Sequence, residues 1–113
     1  MDYEVEEVLS KEDAITDAKY LDVECRFYLG ELPTPVTIKI YKQAGKEQYY
    51  FYQSHWIKTP SQIGPYITSR VWESSRDAAL SRAIDSLVSY YESAVDKGDP
   101  PDEAWLVKNE DFL

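Results

Sequence analysis

The chain has 113 residues and a net charge of −9, and 43% of its residues are hydrophobic. These values fit one globular domain and exclude wholesale disorder. No apolar stretch approaches the ~18 residues that a membrane span requires, and we do not expect the acidic residues 1–7 to be a signal peptide or an anchor, so a soluble, cytoplasmic protein is expected.

Residues 1–17 are expected to form a polar, acidic lead-in to this single domain. Apolar side chains alternate loosely over residues 2–9, which allows a short edge strand. Ser10 is followed three residues later by Asp13, a spacing typical of a helix N-cap. The pattern therefore allows a turn or a short helix over residues 11–19.

Residues 18–73 are expected to form the sheet. Residues 20–29 and 36–41 both alternate with period two, which places their apolar side chains on one side of a strand. Residues 30–35 contain two prolines and end the first strand. The short connections favour antiparallel pairing, because parallel strands need long crossovers.

A third strand is predicted over residues 47–56. It has aromatic side chains at both parities, as expected for a central strand covered on two sides. Residues 57–65, rich in Pro, Ser and Gly, predict a loop, and residues 66–72 allow a fourth short strand.

The clearest element is a long amphipathic helix within residues 74–98. The serines before Arg76 supply an N-cap hydroxyl, and Asp77 supplies an acid in the first turn. Apolar residues recur at helical spacing until Gly98, which is suited to a left-handed C-cap. The predicted fold class is α+β: an antiparallel β-meander of three to five strands with this helix packed on one face.

The segment 99–113 is an acidic tail that carries clustered apolar residues. Exposing such apolar residues to water costs free energy, so we expect the tail to dock on the domain through Trp105.

The sequence contains no catalytic, cofactor or metal motif. The four glycines are scattered, which excludes a phosphate-binding loop or a dinucleotide fingerprint. One cysteine and one histidine are too few for the common metal sites. Cys25 is interpreted as a buried strand thiol. We expect no cofactor and no metal ion, and we favour a non-enzyme; an enzyme of unknown type is the third interpretation.

The sheet face turned away from the helix is the first candidate surface. It is predicted to carry Arg26, Tyr28, Lys39 and Tyr41. The third strand adds either its odd-numbered or its even-numbered aromatic residues to this face. The sequence leaves both choices open, because a one-residue shift in strand pairing exchanges the two sets. Three interpretations stay open: cover by the chain's own ends, above all the Trp105 segment; an oligomer or partner interface; or a stacking platform for single-stranded nucleic acid.

The loop over residues 57–66 is the second candidate surface. Its prolines restrict the backbone, which lowers the cost of ordering on binding. It lies within residues 26–82, which carry a net charge of +4 and suit an acidic or phosphate-bearing partner. The residues predicted to bind there are His55, Trp56, Lys58, Gln62, Tyr66 and Arg70.

These features predict a small, non-enzymatic binding or assembly module that uses the aromatic sheet face and the loop. The expected partner is another protein or a second copy of the chain, and no membrane is expected. The alternative is a single-stranded nucleic-acid-binding or regulatory domain whose acidic ends shield its own surface.

Overall fold

The computed structural model describes residues 2–112, with side chains from Val5 onward. The helices and strands follow in chain order as α1 (Asp2–Ser10), β1 (Lys19–Phe27), β2 (Val36–Gln43), β3 (Tyr49–Gln53), β4 (His55–Ile57), β5 (Trp72–Glu73), α2 (Arg76–Asp96) and β6 (Leu106–Lys108). A short 3-10 turn, Glu103–Trp105, leads into β6.

Four antiparallel strands form the main sheet in the order β1-β2-β3-β5. The long helix α2 packs against one face of this sheet. The predicted α+β class, with an antiparallel meander and one long helix, is therefore confirmed. Strands β4 and β6 pair with each other in a second, two-stranded sheet.

Helix α2 begins and ends where its local signals predict. The Ser75 hydroxyl accepts a hydrogen bond from the Ala78 N–H at 3.1 Å, which satisfies one of the free donors of the first turn. Gly98 follows the helix with φ +93°, the left-handed conformation that glycine adopts without strain.

The core consists of two clusters on the α2 side of the main sheet. In one, β2 and β3 pack on the first half of α2, through residues that include Ile38, Ile40, Phe51, Ala79 and Ala83. In the other cluster, the second half of α2 packs against four parts of the chain: the turn that follows β1, the start of β2, the end of β4, and the 3-10 turn. Its buried members are Leu29, Leu32, Val36, Ile57, Leu87, Ala94 and Trp105. Cys25 is half-buried beside the first cluster.

The prediction of an edge strand over residues 2–9 is wrong, since this segment is the helix α1. Ser10, predicted to start a helix, ends one, and its hydroxyl donates to the Glu7 carbonyl. The loose alternation of a short segment did not distinguish a period of two from a period of 3.6. The contact that holds α1 is distant in sequence, because the Glu6 carboxylate pairs with Lys42 of β2.

The predicted third strand is divided at Ser54. The Ser54 N–H still bonds to β2, at the Thr37 carbonyl, but the chain then leaves the main sheet and β4 pairs with β6. The fourth strand is shorter than residues 66–72 allowed. Only Trp72–Glu73 pairs with β3, while Tyr66 makes a single bridge to Ile57.

Trp105 is buried on the α2 side of the sheet, where its ring lies edge-on to Tyr91 with ring centres 5.9 Å apart. It therefore does not cover the opposite face, which was the interpretation favoured for the tail. Pairing of β6 with β4 carries Trp105 to the helix side. None of the helices within residues 2–112 is long and apolar enough to cross a membrane.

Candidate functional site

The face of the main sheet opposite α2, called the open face below, carries a row of apolar and aromatic side chains. Leu21 lies opposite Tyr41, Tyr41 opposite Tyr50, and Tyr50 opposite Trp72. Because directly opposed residues project to the same face, the row crosses all four strands. The sequence left open whether the odd- or the even-numbered aromatic residues of β3 lie on this face. The pairing with β2 shows that the even-numbered ones, Tyr50 and Tyr52, do.

Tyr52 extends this row along β3. Its ring meets the Tyr41 ring edge to face, with centres 5.3 Å apart and an angle of 87° between the planes. Tyr52 is 43% exposed, and Leu21 at the other side of the row is also exposed. The open face therefore presents a partly solvent-accessible aromatic surface, in which the Tyr41 and Tyr52 rings pack against each other.

Cations lie over several of these rings. The Lys19 ammonium is 4.9 Å from the Tyr50 ring centre, and the Arg70 guanidinium carbon is 4.4 Å from the Trp72 ring. Both are within the distance of a cation–π contact. One face of each of these two rings thus already carries a cation from within the chain.

A groove of about 310 Å³ lies on the open face. Its walls come from three strands and from the turn after β6, through Lys19, Lys39, Tyr41, Tyr52, Asp111 and Phe112. The Lys39 ammonium is 5.1 Å from the centre of the Phe112 ring. This volume is at the lower end of the range typical of small-molecule or side-chain pockets.

The charge of the open face is opposite in sign to that of the whole chain. At its strand positions, three basic residues, Lys19, Arg26 and Lys39, accompany one acidic residue, Glu24. The chain has a net charge of −9. This surface therefore carries a local excess of basic over acidic residues at its strand positions, while Asp17 pairs with Lys19 at 3.6 Å and Asp111 lies at the groove.

Three of the four residues predicted for this face lie on it: Arg26, Lys39 and Tyr41. Tyr28 follows the end of β1 and is exposed outside the strand ladder. The sequence interpretation missed Lys19, Trp72 and Phe112. Simple alternation from Arg26 would place Lys19 on the opposite side of β1, and the register shift between Leu21 and Val23 brings it to the open face. Trp72 and Phe112 reach this face only through tertiary contacts.

The predicted loop site is separate from the open face. Tyr66 packs on Tyr90 of α2, with ring centres 4.9 Å apart, and Ser61 accepts a hydrogen bond from Lys97 just beyond α2. The loop thus lies beside the helix, on the other side of the sheet from the aromatic row. Of the residues predicted for the loop site, Arg70 belongs to the edge of the open face instead.

Gln62 has a structural role inside the loop. Its side-chain oxygen accepts from the Thr59 N–H at 2.7 Å and from the Thr59 hydroxyl at 3.0 Å, and its amide donates to the Ile57 and Gly64 carbonyls. These four bonds use the polar atoms of the Gln62 amide, so this side chain stabilises the loop and does not offer free donors to a ligand. The loop exposes Ile63 completely.

Three of the remaining residues predicted for the loop site make contacts within β4 and its surroundings: Trp56 and Lys58 through the backbone, and His55 also through its side chain. Trp56 pairs with Val107 between β4 and β6, and the Lys58 N–H donates to the Trp105 carbonyl at 2.8 Å. His55 is half-buried opposite Lys108, and its Nδ1 is 2.8 Å from the Ser54 hydroxyl. Burial and the Lys108 charge lower the pKa of His55, so the imidazole is held in its neutral form.

A larger cavity, of about 860 Å³, lies between α1 and the turn joining β2 to β3. Its polar wall is the ion pair of Glu6 with Lys42, to which Tyr20 and the Gly45 N–H also donate. Bonds from Lys42 and Tyr20 lower the pKa of Glu6 to about 2. With its oxygens bonded internally, Glu6 anchors α1 to the sheet.

Nothing in the described part of the chain brings together three or more carboxylate, histidine or cysteine side chains that could hold a metal ion. Comparison with protein families, with curated proteins and with solved structures finds no match for this chain. The arguments about function below therefore rest on the geometry and charge of the open face.

Proposed function

We propose that this protein is a non-enzymatic binding module whose open face docks an acidic polypeptide of a partner protein. The observation that carries the proposal is the row from Leu21 to Trp72, which crosses all four strands and includes Tyr41 and Tyr50. Tyr, Trp and Arg are enriched in protein interfaces, because they bury a large rigid area and still form hydrogen bonds.

Charge supports an acidic partner over a symmetric dimer. In a two-fold dimer through this face, the same patch would meet itself, so Lys19, Arg26 and Lys39 of one copy would approach those of the other. Like charges across an interface are unfavourable. A partner segment rich in Asp and Glu instead places opposite charges beside these basic residues at the interface.

Single-stranded nucleic acid fits this face less well. Base stacking needs an accessible ring face, and the rings of Tyr50 and Trp72 already carry Lys19 and Arg70. A base could stack on the cation-bearing faces of Tyr50 and Trp72 only by displacing Lys19 and Arg70, which are groups that would otherwise contact the phosphates.

Selection of displayed random peptides on the immobilised protein tests the proposal. We expect acidic peptides to be enriched on the wild type and to lose most of their binding to Lys39→Glu and to Tyr52→Ala. Lys46→Glu is the matched control, since it makes the same charge change in the exposed turn between β2 and β3, outside the groove.

Two results would contradict the proposal. The first is that no acidic peptides are enriched, or that the enriched peptides still bind the Lys39→Glu and Tyr52→Ala variants as well as the wild type. The other is tight binding of a single-stranded oligonucleotide that weakens as salt rises, which would support the nucleic-acid function instead. Light scattering of the free protein reports any self-association through the same face.

A further inference from the structure

The turn that follows β6 is fixed to the end of β3 through Asn109. The Asn109 N–H donates to the Ser54 carbonyl, and its side-chain amide donates to the Gln53 carbonyl, both at 2.9 Å. The Asp111 N–H then donates to the Asn109 side chain at 3.0 Å, and the Phe112 N–H donates to the Asn109 carbonyl at 3.1 Å. These bonds turn the chain back over the open face.

The turn places one acidic and one aromatic side chain at the groove of the open face. Asp111 and Phe112 line it together with Lys19 and Lys39. Phe112 is half-buried with its ring over the Lys39 ammonium, and Asp111 is exposed. A segment of the chain itself thus contributes the two kinds of group that the cations and tyrosine rings of this groove can bind.

We propose that Phe112 occupies the position beside Lys39 at the edge of the groove in place of a partner, and that the partner presents an aromatic ring to the same position with an acidic residue next to it, as Asp111 lies next to Phe112. This inference rests on the proposed function and adds the chemistry of the ligand and its regulation. The aromatic ring of the partner replaces Phe112 beside Lys39, and its carboxylate takes the place of Asp111 in the wall of the groove.

Displacement of the turn leaves the core intact. Trp105 is buried and β6 is paired with β4, whereas none of the described residues 110–112 belongs to either core cluster. A tethered segment competes at a high effective concentration, in the millimolar range for a short flexible tether. A free peptide of similar sequence should therefore bind the wild type more weakly than it binds Phe112→Ala, in which the competing ring of the protein is absent.

The test uses a synthetic peptide spanning residues 109–113, titrated into the full chain and followed by NMR. We expect Phe112→Ala to bind this peptide at least tenfold more tightly than the wild type does, with shifts at Lys39, Tyr41 and Tyr52. Val95→Ala is the control, because it shortens an apolar side chain that is 39% exposed on α2. Its affinity should equal that of the wild type.

Peptide variants identify the groups that are recognised. Replacing the phenylalanine by alanine, or the aspartate by lysine, should each reduce the affinity for the Phe112→Ala protein by at least tenfold. Equal affinity of the peptide for the wild type and for Phe112→Ala would show that Phe112 does not compete for this site. The proposed recognition of an aromatic ring beside a carboxylate would be wrong if the peptide bound neither protein, or if both changed peptides bound as well as the original.

The proposed function and this inference fail in different ways. If displayed acidic peptides bind the open face equally well in the wild type and in Phe112→Ala, the docking face stands and the occupancy by Phe112 is wrong. If no displayed peptide binds even to Phe112→Ala, both proposals are wrong. Circular dichroism of each variant verifies that it is folded.

Discussion

Gly30 lies directly against Tyr91: a Cβ atom built on Gly30 would be 2.0 Å from the Tyr91 hydroxyl oxygen. Gly30 also has φ +54°, in the left-handed region that favours glycine. Tyr91 in turn packs edge-on against Trp105. The turn after β1 is therefore fixed to the second half of α2 by a contact that only glycine permits.

Gly30→Ala should lower the free energy of unfolding by about 2 kcal/mol or more, because it adds left-handed backbone strain to an overpacked contact. Gly45→Ala is the control, since Gly45 has φ +79° and nothing within 4 Å of the added Cβ, so it adds the strain alone. Urea denaturation measures both. Equal losses in the two variants would contradict the contact with Tyr91.

Leu87 is fully buried in the core cluster around Trp105. Leu87→Ala should lower the free energy of unfolding by about 2–5 kcal/mol, through lost burial and the cavity that remains. Val95→Ala on the exposed side of the same helix should cost less than about 0.5 kcal/mol. A small effect at Leu87, similar to that at Val95, would show that α2 does not pack as described.

Sequence patterns predict the elements whose signals are local. The Ser75 cap, the helical apolar spacing and Gly98 define α2, and alternation defines β1 and β2. Helix α1 and the break at Ser54 have no such signal. Each depends on a partner distant in sequence: Lys42 for α1, and β6 for the strand after the break.

The candidate site was predictable only in part for the same reason. Alternation in β2 placed Lys39 and Tyr41 on the open face, but β3 is aromatic at both parities, and only its register with β2 selects Tyr50 and Tyr52. The loop residue Gln62, predicted to offer donors to a ligand, bonds to its own loop. Composition alone does not reveal such internal use of a polar side chain.

His55 should make stability depend on pH below neutrality. Its pKa is lowered in the folded state from the ordinary 6.5, first by burial and then by the charge of Lys108. The unfolded chain therefore binds the proton first, and stability falls as the pH drops from about 6.5 through the folded pKa. The free energy of unfolding of His55→Gln, measured by urea denaturation over the same pH range, should not show this part of the pH dependence.

The Lys108→Gln variant refines the same measurement. Removing this charge should raise the folded pKa of His55 toward 6.5 and narrow the pH range over which stability is lost. The Ser54 hydroxyl accepts from the Thr37 N–H and can donate its own proton to His55 Nδ1, which suits the neutral imidazole. A His55 pKa at or above 6.5 by NMR titration would contradict this prediction.

Thr68 has the one buried side-chain polar atom, among residues 5–112, that lacks a hydrogen-bond partner. The residue is 6% exposed. Thr68→Val keeps its shape and removes the unsatisfied hydroxyl, so we expect the free energy of unfolding to rise by about 1 kcal/mol. Thr59→Val is the control, because the buried Thr59 hydroxyl bonds to Gln62, and it should destabilise. A loss in both variants would indicate that the Thr68 hydroxyl has a partner.

The ion pair of Glu6 with Lys42 should hold α1 on the sheet in a pH-dependent manner. The pKa of the Glu6 carboxyl group in the folded protein is about 2, below the ordinary value of 4.5. The carboxylate therefore makes its full contribution to stability above pH 4.5, and this contribution is lost as the pH falls toward 2. The difference in stability between the wild type and Glu6→Gln should therefore be greatest near neutral pH and should vanish near pH 2.

Lys42 supplies the decisive comparison for this ion pair. Its side chain is largely buried, and Glu6→Ala leaves the ammonium without the carboxylate, which is more costly than replacing both groups by apolar ones. We therefore expect Glu6→Ala to be less stable than the double variant Glu6→Ala, Lys42→Met. Thermal melting at pH 7 ranks the variants, and NMR of α1 amides reports whether the helix stays in place. If the double variant is no more stable than Glu6→Ala, or if the Glu6→Gln difference does not change between pH 7 and pH 2, then the carboxylate is not what attaches α1 to the sheet.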